Sequence, residues 1–325
     1  MDLLLTLFGF GLIGLTLTDF FYTTLSCNGS GGMTTLINAG VRQVFHIHTD
    51  RGRRWNGAVH LIATLLNWVI LLLVAGFLVY AGFDDMVIHS STQEPATLPQ
   101  RAYMTGFVFS TLGTGDYIPG SDFSRYFTVV YSILGFGVLT TAITYIINVM
   151  SAANRKKNLA TYISSMGNTP LELYDYFTTQ PDGSFFTERV DDLVELFNTH
   201  INNQRCYPIV RFFLSDGLAY SATVQVASLH EATMALRICY RDDAAVTAHL
   251  VRMDRVAGHF LELVNTHARH RGEDEELLKL RGGWADRVPE LAHPAGGEVE
   301  ESNVRLGALL SQAGRSWEEV YKDET

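Results

Sequence analysis

The sequence predicts a mainly α membrane protein: three transmembrane helices, a short re-entrant helix and loop between the last two, and a helical cytoplasmic domain. Three observations predict it: apolar stretches long enough to cross a bilayer, an uneven division of charge along the chain, and amphipathic helical periodicity in the second half. Of 325 residues, 47% are apolar and 18% charged, against about 25% charged in an average soluble domain. Residues 1–151 hold six Arg, no Lys and eight acidic residues, whereas residues 152–325 hold 18 basic and 26 acidic ones. One half is composed for an apolar solvent and the other for water, which excludes a single soluble enzyme domain and a disordered acidic chain. The net charge of −10 argues against nucleic acid as a partner, because that needs a basic face. Cys27, Cys206 and Cys239 are too few and too scattered for a disulfide framework or a metal cage.

A helix needs roughly 20 apolar residues to cross a hydrocarbon core of about 30 Å. Residues 58–83 contain only His60 and Asn67 as strongly polar side chains, and residues 123–151 only Arg125 near the start and Asn148 near the end. Residues 3–25 are also long enough but carry Asp19. They read as a span rather than a cleaved signal peptide, since the basic n-region is missing and no small-x-small site follows. The 28–56 loop carries Arg42, Arg51, Arg53 and Arg54; the 84–99 loop carries Asp84, Asp85 and Glu94 with no basic residue; Arg155, Lys156 and Lys157 follow the last span. By the positive-inside rule the basic segments are cytoplasmic and the acidic loop external, giving a multi-pass protein of the cell membrane with its N-terminus outside and its C-terminal domain inside. Residues 33–48 are moderately apolar and expected along the inner membrane surface. The expected organisation is an N-terminal transmembrane helix at 1–27, a basic cytoplasmic linker at 28–56, a two-span module at 57–152, a helical cytoplasmic domain at 158–271 and an acidic, loosely ordered tail at 272–325.

Between the second and third spans, residues 98–119 read LPQRAYMTGFVFSTLGTGDYIP. Pro99 suits the first turn of a short helix running through Tyr103, Phe107 and Phe109 to about Ser110. That helix is too short to span, and Thr111-Leu112-Gly113-Thr114-Gly115-Asp116 follows it. Non-helical backbone survives at membrane depth only where protein buries it or a watery path runs beside it. Glycine at alternate positions frees the chain to turn successive carbonyls one way. Four such strands around an axis make rings of carbonyl oxygens that replace an ion's hydration shell. The negative C-terminal end of a helix aimed at the same axis favours a cation.

On these residues the stretch 57–152 resembles the two-transmembrane, pore-domain potassium channel family. The family filter reads T-V-G-Y-G-D, or has Phe in place of Tyr, and this chain has T-L-G-T-G-D at 111–116. Pro119 three residues after Asp116, Arg125 at the opening of the inner helix, and Gly135 twenty residues after Gly115, where the family keeps its gating glycine, extend the match. The resemblance implies an ion channel, not an enzyme, with one pore loop per chain and hence a homotetramer in the lipid bilayer. It implies potassium coordinated by Thr111, Leu112, Gly113 and Thr114, with Gly115 completing the filter and Asp116, Tyr103 and Phe107 supporting it. No cofactor is implied beyond the permeant K+ ions. Thr114 departs from the family, where an aromatic braces the filter against the pore helix; Tyr103, Phe107 or Phe109 would have to fill that space. Cation permeation is therefore favoured over strict potassium selectivity. A non-conducting membrane scaffold or sensor that retains the pore fold is the rival reading.

On the inner helix Gly137, Thr141, Thr144 and Asn148 fall at spacings of four, three and four, and so share one face. A small and polar stripe on an apolar span either lines a watery cavity or packs closely against another helix. Gly135 and Gly137 supply a bend or, equally, close packing. Asp19 is expected in a structural ion pair with Arg42 or Arg51, a gating role being the alternative. His46 and His48 read as a solvated loop rather than a metal site.

In the cytoplasmic half, residues 171–178, 190–203, 230–240 and 244–267 read as amphipathic helices. The last carries Val246, Leu250, Met253, Val256, Ala257, Phe260 and Leu263 as an apolar stripe. Residues 219–228 are undecided between strand and helix. Beyond Arg271 only 305–310 and 317–321 look able to bury anything. No Gly-x-Gly-x-x-Gly after a strand, Walker loop, H-E-x-x-H or C-x-x-C occurs, which leaves both a catalytic constellation and a nucleotide-binding regulator domain without support and names no ligand or protein for this domain. Asp242-Asp243 and 273–276 read as solvated charge runs. His249, His259, His267 and His270 read as solvated histidines, with pH sensing the alternative.

Overall fold

The computed structural model describes residues 2–44, 50–179, 183–263, 277, 279–282, 288 and 298–322. It divides into two compact units, one formed by Met1–Val44 with Val59–Val149 and the other by Phe45–Ala58 with Met150–Thr325. His46, His48, His267, His270 and the 273–276 charge run lie outside the described residues.

The first unit is built from α1 (Asp2–Leu25), α2 (Gly32–Val44), α4 (Leu98–Phe109) and the parts of α3 (Asp50–Ala81) and α5 (Asp122–Ser164) that fall within Val59–Val149. Among the described residues three helices are long and apolar enough to cross a membrane, over Leu3–Leu25, Gly52–Ala81 and within Asp122–Ser164. Two of them outrun the expected boundaries. α3 begins at Asp50, so Arg51, Arg53 and Arg54 sit in its first turns and the 56/57 boundary falls inside a helix. α5 continues past 152 to Ser164, so no linker separates the span from the helical domain beyond it. Arg and Lys are good helix formers, and a change of solvent along a helix need not end it. Two short strands complete the unit: β1 (Val87–His89) pairs antiparallel with β2 (Tyr117–Pro119), with Val87 opposite Pro119 and His89 opposite Tyr117.

Asp19 is buried, and among the described residues no arginine holds it. Its carboxylate accepts hydrogen bonds from the Met33 and Thr34 amides at 2.8 and 3.3 Å, the Thr34 hydroxyl at 2.6 Å and the Trp68 indole at 2.9 Å. In place of a pair with Arg42, a cap answers the charge: the free N–H groups and positive dipole end of α2 satisfy it, and the Arg51 side chain lies outside the described residues. α2 is amphipathic, yet Thr34 and Asn38 are buried on its polar side. Asn38 donates to the Thr34 carbonyl at 2.9 Å, and its Oδ1 meets His60 Nδ1 at 2.7 Å. A polar seam therefore ties α1, α2 and α3.

The second unit packs α6 (Pro170–Thr179), α7 (Gly183–Cys206), α8 (Ala222–Cys239) and α9 (Ala244–Glu262) around Leu159 and Ile163 of α5, with Leu193, Phe197, Leu229 and Leu250 in the core. α8 is buried almost all round from Ala222 to Leu236. A helix with no solvent face shows no period, which is why residues 219–228 are ambiguous in the sequence: they are a 3-10 turn, Leu218–Tyr220, followed by the start of α8. Asp243 is an N-cap rather than only a solvated charge, accepting from the Ala245 and Val246 amides at 3.0 and 3.1 Å. His249 Nε2 lies 3.3 Å from the Thr187 hydroxyl.

The expectation of a loose tail fails over 298–322. Helices Glu298–Gln312 and Trp317–Val320 bury Leu306, Leu310, Trp317 and Val320 in the same core. Arg281 forms a two-pronged pair with Glu231 at 2.8 and 2.6 Å, and the Tyr321 hydroxyl donates to Glu231 at 2.6 Å. Removing one member of such a buried pair strands the other charge, at a cost of about 3–5 kcal/mol. The acidic and Gly/Pro-rich composition of 272–297 hid this sparse set of anchors.

His200 of α7 is buried, and that burial, with the Lys156 charge adding to it, pushes its imidazole down from 6.5 to about 3. The folded state keeps His200 neutral, whereas the unfolded chain takes up a proton below about 6.5. This share of stability is therefore present above about 6.5 and is lost as pH falls toward 3, at up to about 1.4 kcal/mol per pH unit. Burial lowers His230 as well, and it titrates in the same sense. Thermal unfolding of the full chain followed by tryptophan fluorescence should show the melting temperature dropping between pH 7 and pH 5. The drop should be shallower in His200→Gln. Parallel curves for the two proteins would contradict this account.

Candidate functional site

The site is built on α4. Pro99 falls in its first turn, and the Gln100 side chain accepts from the Thr97 amide at 2.8 Å, fixing where the helix starts. Arg101, only 5% exposed, spreads its guanidinium over backbone carbonyls: Ala96 at 2.9 Å, Tyr80 and Ala81 at 3.3 Å and Phe83 at 3.0 Å. It also pairs with Asp84 at 2.9 Å. These are orphan carbonyls at the end of α3, so one buried cation caps that helix and anchors the start of α4. Sequence reasoning missed Arg101, although an ionisable residue beside a re-entrant segment was a signal for it.

At the other end α4 closes in a Schellman motif. The Thr111 amide donates to Val108 at 3.1 Å and the Leu112 amide to Phe107 at 2.8 Å. The residue that turns left-handed there is Thr111, with φ of 58°, where glycine is usual. A β-branched residue in this region is strained by roughly 1–2 kcal/mol. Gly113 and Gly115 follow with φ of 59° and 80°, whereas Leu112 and Thr114 between them are not left-handed. Alternation of handedness turns successive peptide planes to the same side, the arrangement that concentrates like dipoles on one ligand. The expected ion-coordinating residues Thr111, Leu112, Gly113, Thr114 and Gly115 are all exposed in the single chain, Leu112 to 70%.

The expected supports are placed differently from one another. Phe107 is buried, whereas Tyr103 is 46% exposed. The Thr114 hydroxyl donates to Asp116 two residues on, which is the bracing that Thr114 itself receives. The aromatic brace runs past it: Phe107 meets Tyr103 edge-on at 5.3 Å, Tyr103 meets Tyr117 at 6.1 Å, and Tyr117 meets His89 at 5.4 Å. The rings of α4 are thus linked to β2 and β1 through Tyr117, three residues beyond Thr114. Neither Tyr117 nor the β1–β2 ladder was singled out in the sequence, since three-residue strands are too short to show alternation.

α5 packs within the chain through Tyr131, Gly135, Val138, Tyr145 and Val149. Gly135 belongs to this face: a Cβ there would stand 2.1 Å from the Phe109 carbonyl oxygen. Its role is close approach of α5 to the end of α4, and a Cβ on Gly137 would meet nothing within 4 Å. Gly137, Thr144 and Asn148 are exposed and Thr141 half-buried, so the stripe points away from the in-chain packing. Among the described residues no group of three or more His, Cys, Asp or Glu is placed to hold a metal ion.

Gly135→Ala should accordingly destabilise the protein by about 1–3 kcal/mol, the range for overpacking a tight site. Gly137→Ala should be neutral or slightly stabilising. Melting temperatures of the two variants in one detergent provide the check, and equal values would remove the close-approach argument.

A family described as "Ion channel" matches residues 67–152. The chain is 28% identical over 327 residues to a membrane protein of Bacillus subtilis (strain 168), described as uncharacterized membrane protein YdjJ, with 94% of each chain covered. No solved structure matches it. The matched stretch holds α4, the alternating loop and the inner part of α5, and this segment is similar to an ion channel.

Proposed function

We propose that the protein is a homotetrameric cation channel that conducts potassium, with Thr111–Gly115 as its filter. It lies in the cell membrane with the N-terminus outside and the C-terminal domain in the cytoplasm. The observation that carries this reading is the left-handed backbone at Thr111, Gly113 and Gly115 directly beyond the C-terminal end of α4. Such a loop offers one side of carbonyl dipoles, and a helix end adds its negative pole. One loop supplies a quarter of a coordination ring, so four chains must converge. The exposure of Leu112 and of the whole filter in the single chain supports neighbours at this position. The stripe of Gly137, Thr141, Thr144 and Asn148 then lines the cavity behind the filter, and the arginines at the start of α3 support the orientation.

Thr114 favours modest discrimination between potassium and sodium, because the brace through Tyr103 and Tyr117 bypasses it. Potassium flux through the purified protein in liposomes tests the reading. Flux should exceed that of protein-free vesicles, and Gly113→Ala should abolish it, since alanine in the left-handed region costs about 1–2 kcal/mol in each chain. A protein that is monomeric or dimeric in detergent, or that passes no ion, would instead favour the scaffold reading.

Thr144→Leu should lower conductance with the tetramer intact, because four added apolar side chains at the axis dewet the cavity. A weakened tetramer with normal single-channel conductance would move the stripe to a helix–helix interface.

A further inference from the structure

The second unit contains a cavity of about 380 Å³. Its wall is made by Arg54 in the first turns of α3, by Met150–Lys157 of α5, by the 213–217 loop, by the start of α8 and by Arg315. Ligand sites of small molecules run from about 300 to 1,000 Å³, so the cavity has room for a small molecule rather than for water alone. Its charged lining is Arg54, Lys156, Lys157 and Arg315 against the one carboxylate of Asp216.

Two of these cations are already matched. Arg54 holds Asp216 through Nε and Nη2 at 2.9 and 2.8 Å, and Arg315 holds Glu319 at 2.6 Å. Among the described residues the two lysines are not matched by a carboxylate. Lys156 is 9% exposed, and its ammonium donates to the carbonyls of Val210, Arg211 and Phe213 at 3.4, 3.4 and 2.9 Å. Lys157 rests over the ring of Tyr220, 4.6 Å from its centroid. Dipoles and a π-face stabilise a cation without neutralising it. Arg315, also 9% exposed, keeps one further donor in reserve, because among the described residues its buried Nε has no hydrogen-bond partner. The cavity therefore presents an excess of two positive charges, a buried unpaired guanidinium donor and hydroxyl-bearing walls, with apolar surface at Met150 and Phe213.

We infer that this cavity binds a phosphate monoester, the organic part of which lies against the apolar wall. Such a group carries close to two negative charges at pH 7 and three strong acceptor oxygens, which matches the two lysines and the guanidinium donor. Arginine beside lysine is the usual pairing for phosphate. The chemistry is shared by a soluble phosphate ester and by the headgroup of phosphatidic acid. Since α5 supplies both part of this wall and the Gly137–Asn148 stripe, occupancy is expected to alter ion flux; this consequence rests on the channel reading, and the binding does not.

Titration calorimetry on the full chain in detergent tests it with AMP, with inorganic phosphate, and with mixed micelles of phosphatidic acid against phosphatidylcholine. AMP should bind, more weakly as salt rises. Lys157→Gln, at an exposed position, should weaken binding at least tenfold with an unchanged melting temperature, and Lys157→Arg should restore most of it. Binding of phosphatidic acid micelles alone, with the same sensitivity to Lys157→Gln, assigns the phosphate to lipid. Heat from none of the probes, or equal affinity of the wild type and Lys157→Gln, overturns the inference without touching the channel reading. AMP or phosphatidic acid that binds but leaves potassium flux in liposomes unchanged overturns the regulatory consequence alone.

Discussion

The end of α4 is the constraint on which the rest of the pore segment depends. On the proposed reading α4 stops at membrane depth, where its last carbonyls have no water to receive them, and each orphan costs about 1–3 kcal/mol. The chain answers by turning left-handed at Thr111, which brings two amides back onto Phe107 and Val108. That single turn satisfies the helix and sets the handedness from which Gly113 and Gly115 continue the alternation. Strain at Thr111 persists because the hydrogen bonds on both sides leave no other exit, the situation in which strained residues survive at functional positions. Gly135 belongs to the same constraint, since the close approach of α5 to the Phe109 carbonyl is open only to a residue without a Cβ.

Both ends of α4 are therefore held by backbone chemistry, and side chains tune it. Arg101 gathers the last carbonyls of α3, so the helix before the loop and the loop itself share one cap. Beyond the proposed filter the β1–β2 ladder and the ring series through Tyr117 hold the chain that leaves it. Thr114 is thereby released from the bracing task that an aromatic would perform, and its hydroxyl turns to Asp116 instead. A filter braced from its exit rather than from its middle has fewer contacts fixing the width of its central positions. On the proposed reading this is the physical source of modest selectivity.

Features that depend on solvent composition were legible in the sequence: the apolar spans, the short helix from Leu98 to Phe109 and the amphipathic helices of the second half. The T-L-G-T-G-D run marked where alternation belongs, and the backbone has it. Features that depend on which partner answers a polar group were not legible. Asp19 looked for an arginine and is met by amides of α2, because a helix N-terminus is invisible as a charge in the sequence. The first half of α8 escaped because a helix buried on every side has no period, and the last two helices because a few anchors sit in an acidic background. The expected domain boundaries at 56 and 152 followed hydropathy, which changes along α3 and α5 without ending either helix.

Polar groups away from water are treated in three ways in this chain, and the contrast carries information. Asp19 and Arg101 are fully answered by backbone groups and a few side chains, so they act as fasteners. Glu231 and Arg281 neutralise each other, with Tyr321 and Asn303 completing the set, so they specify how the C-terminal helices register on α8. Lys156 is answered only by neutral carbonyls, and the Nε of Arg315 by nothing among the described residues. A group left short of its electrostatic complement is costly in a finished core, where burial of an unmatched charge is selected against. It is inexpensive at a site whose complement arrives with a ligand. In the cavity that α3, α5 and the 213–217 loop share, Lys156 and Lys157 are met by carbonyls and a ring and by no carboxylate among the described residues, so the charge there reads as complementary to an anion.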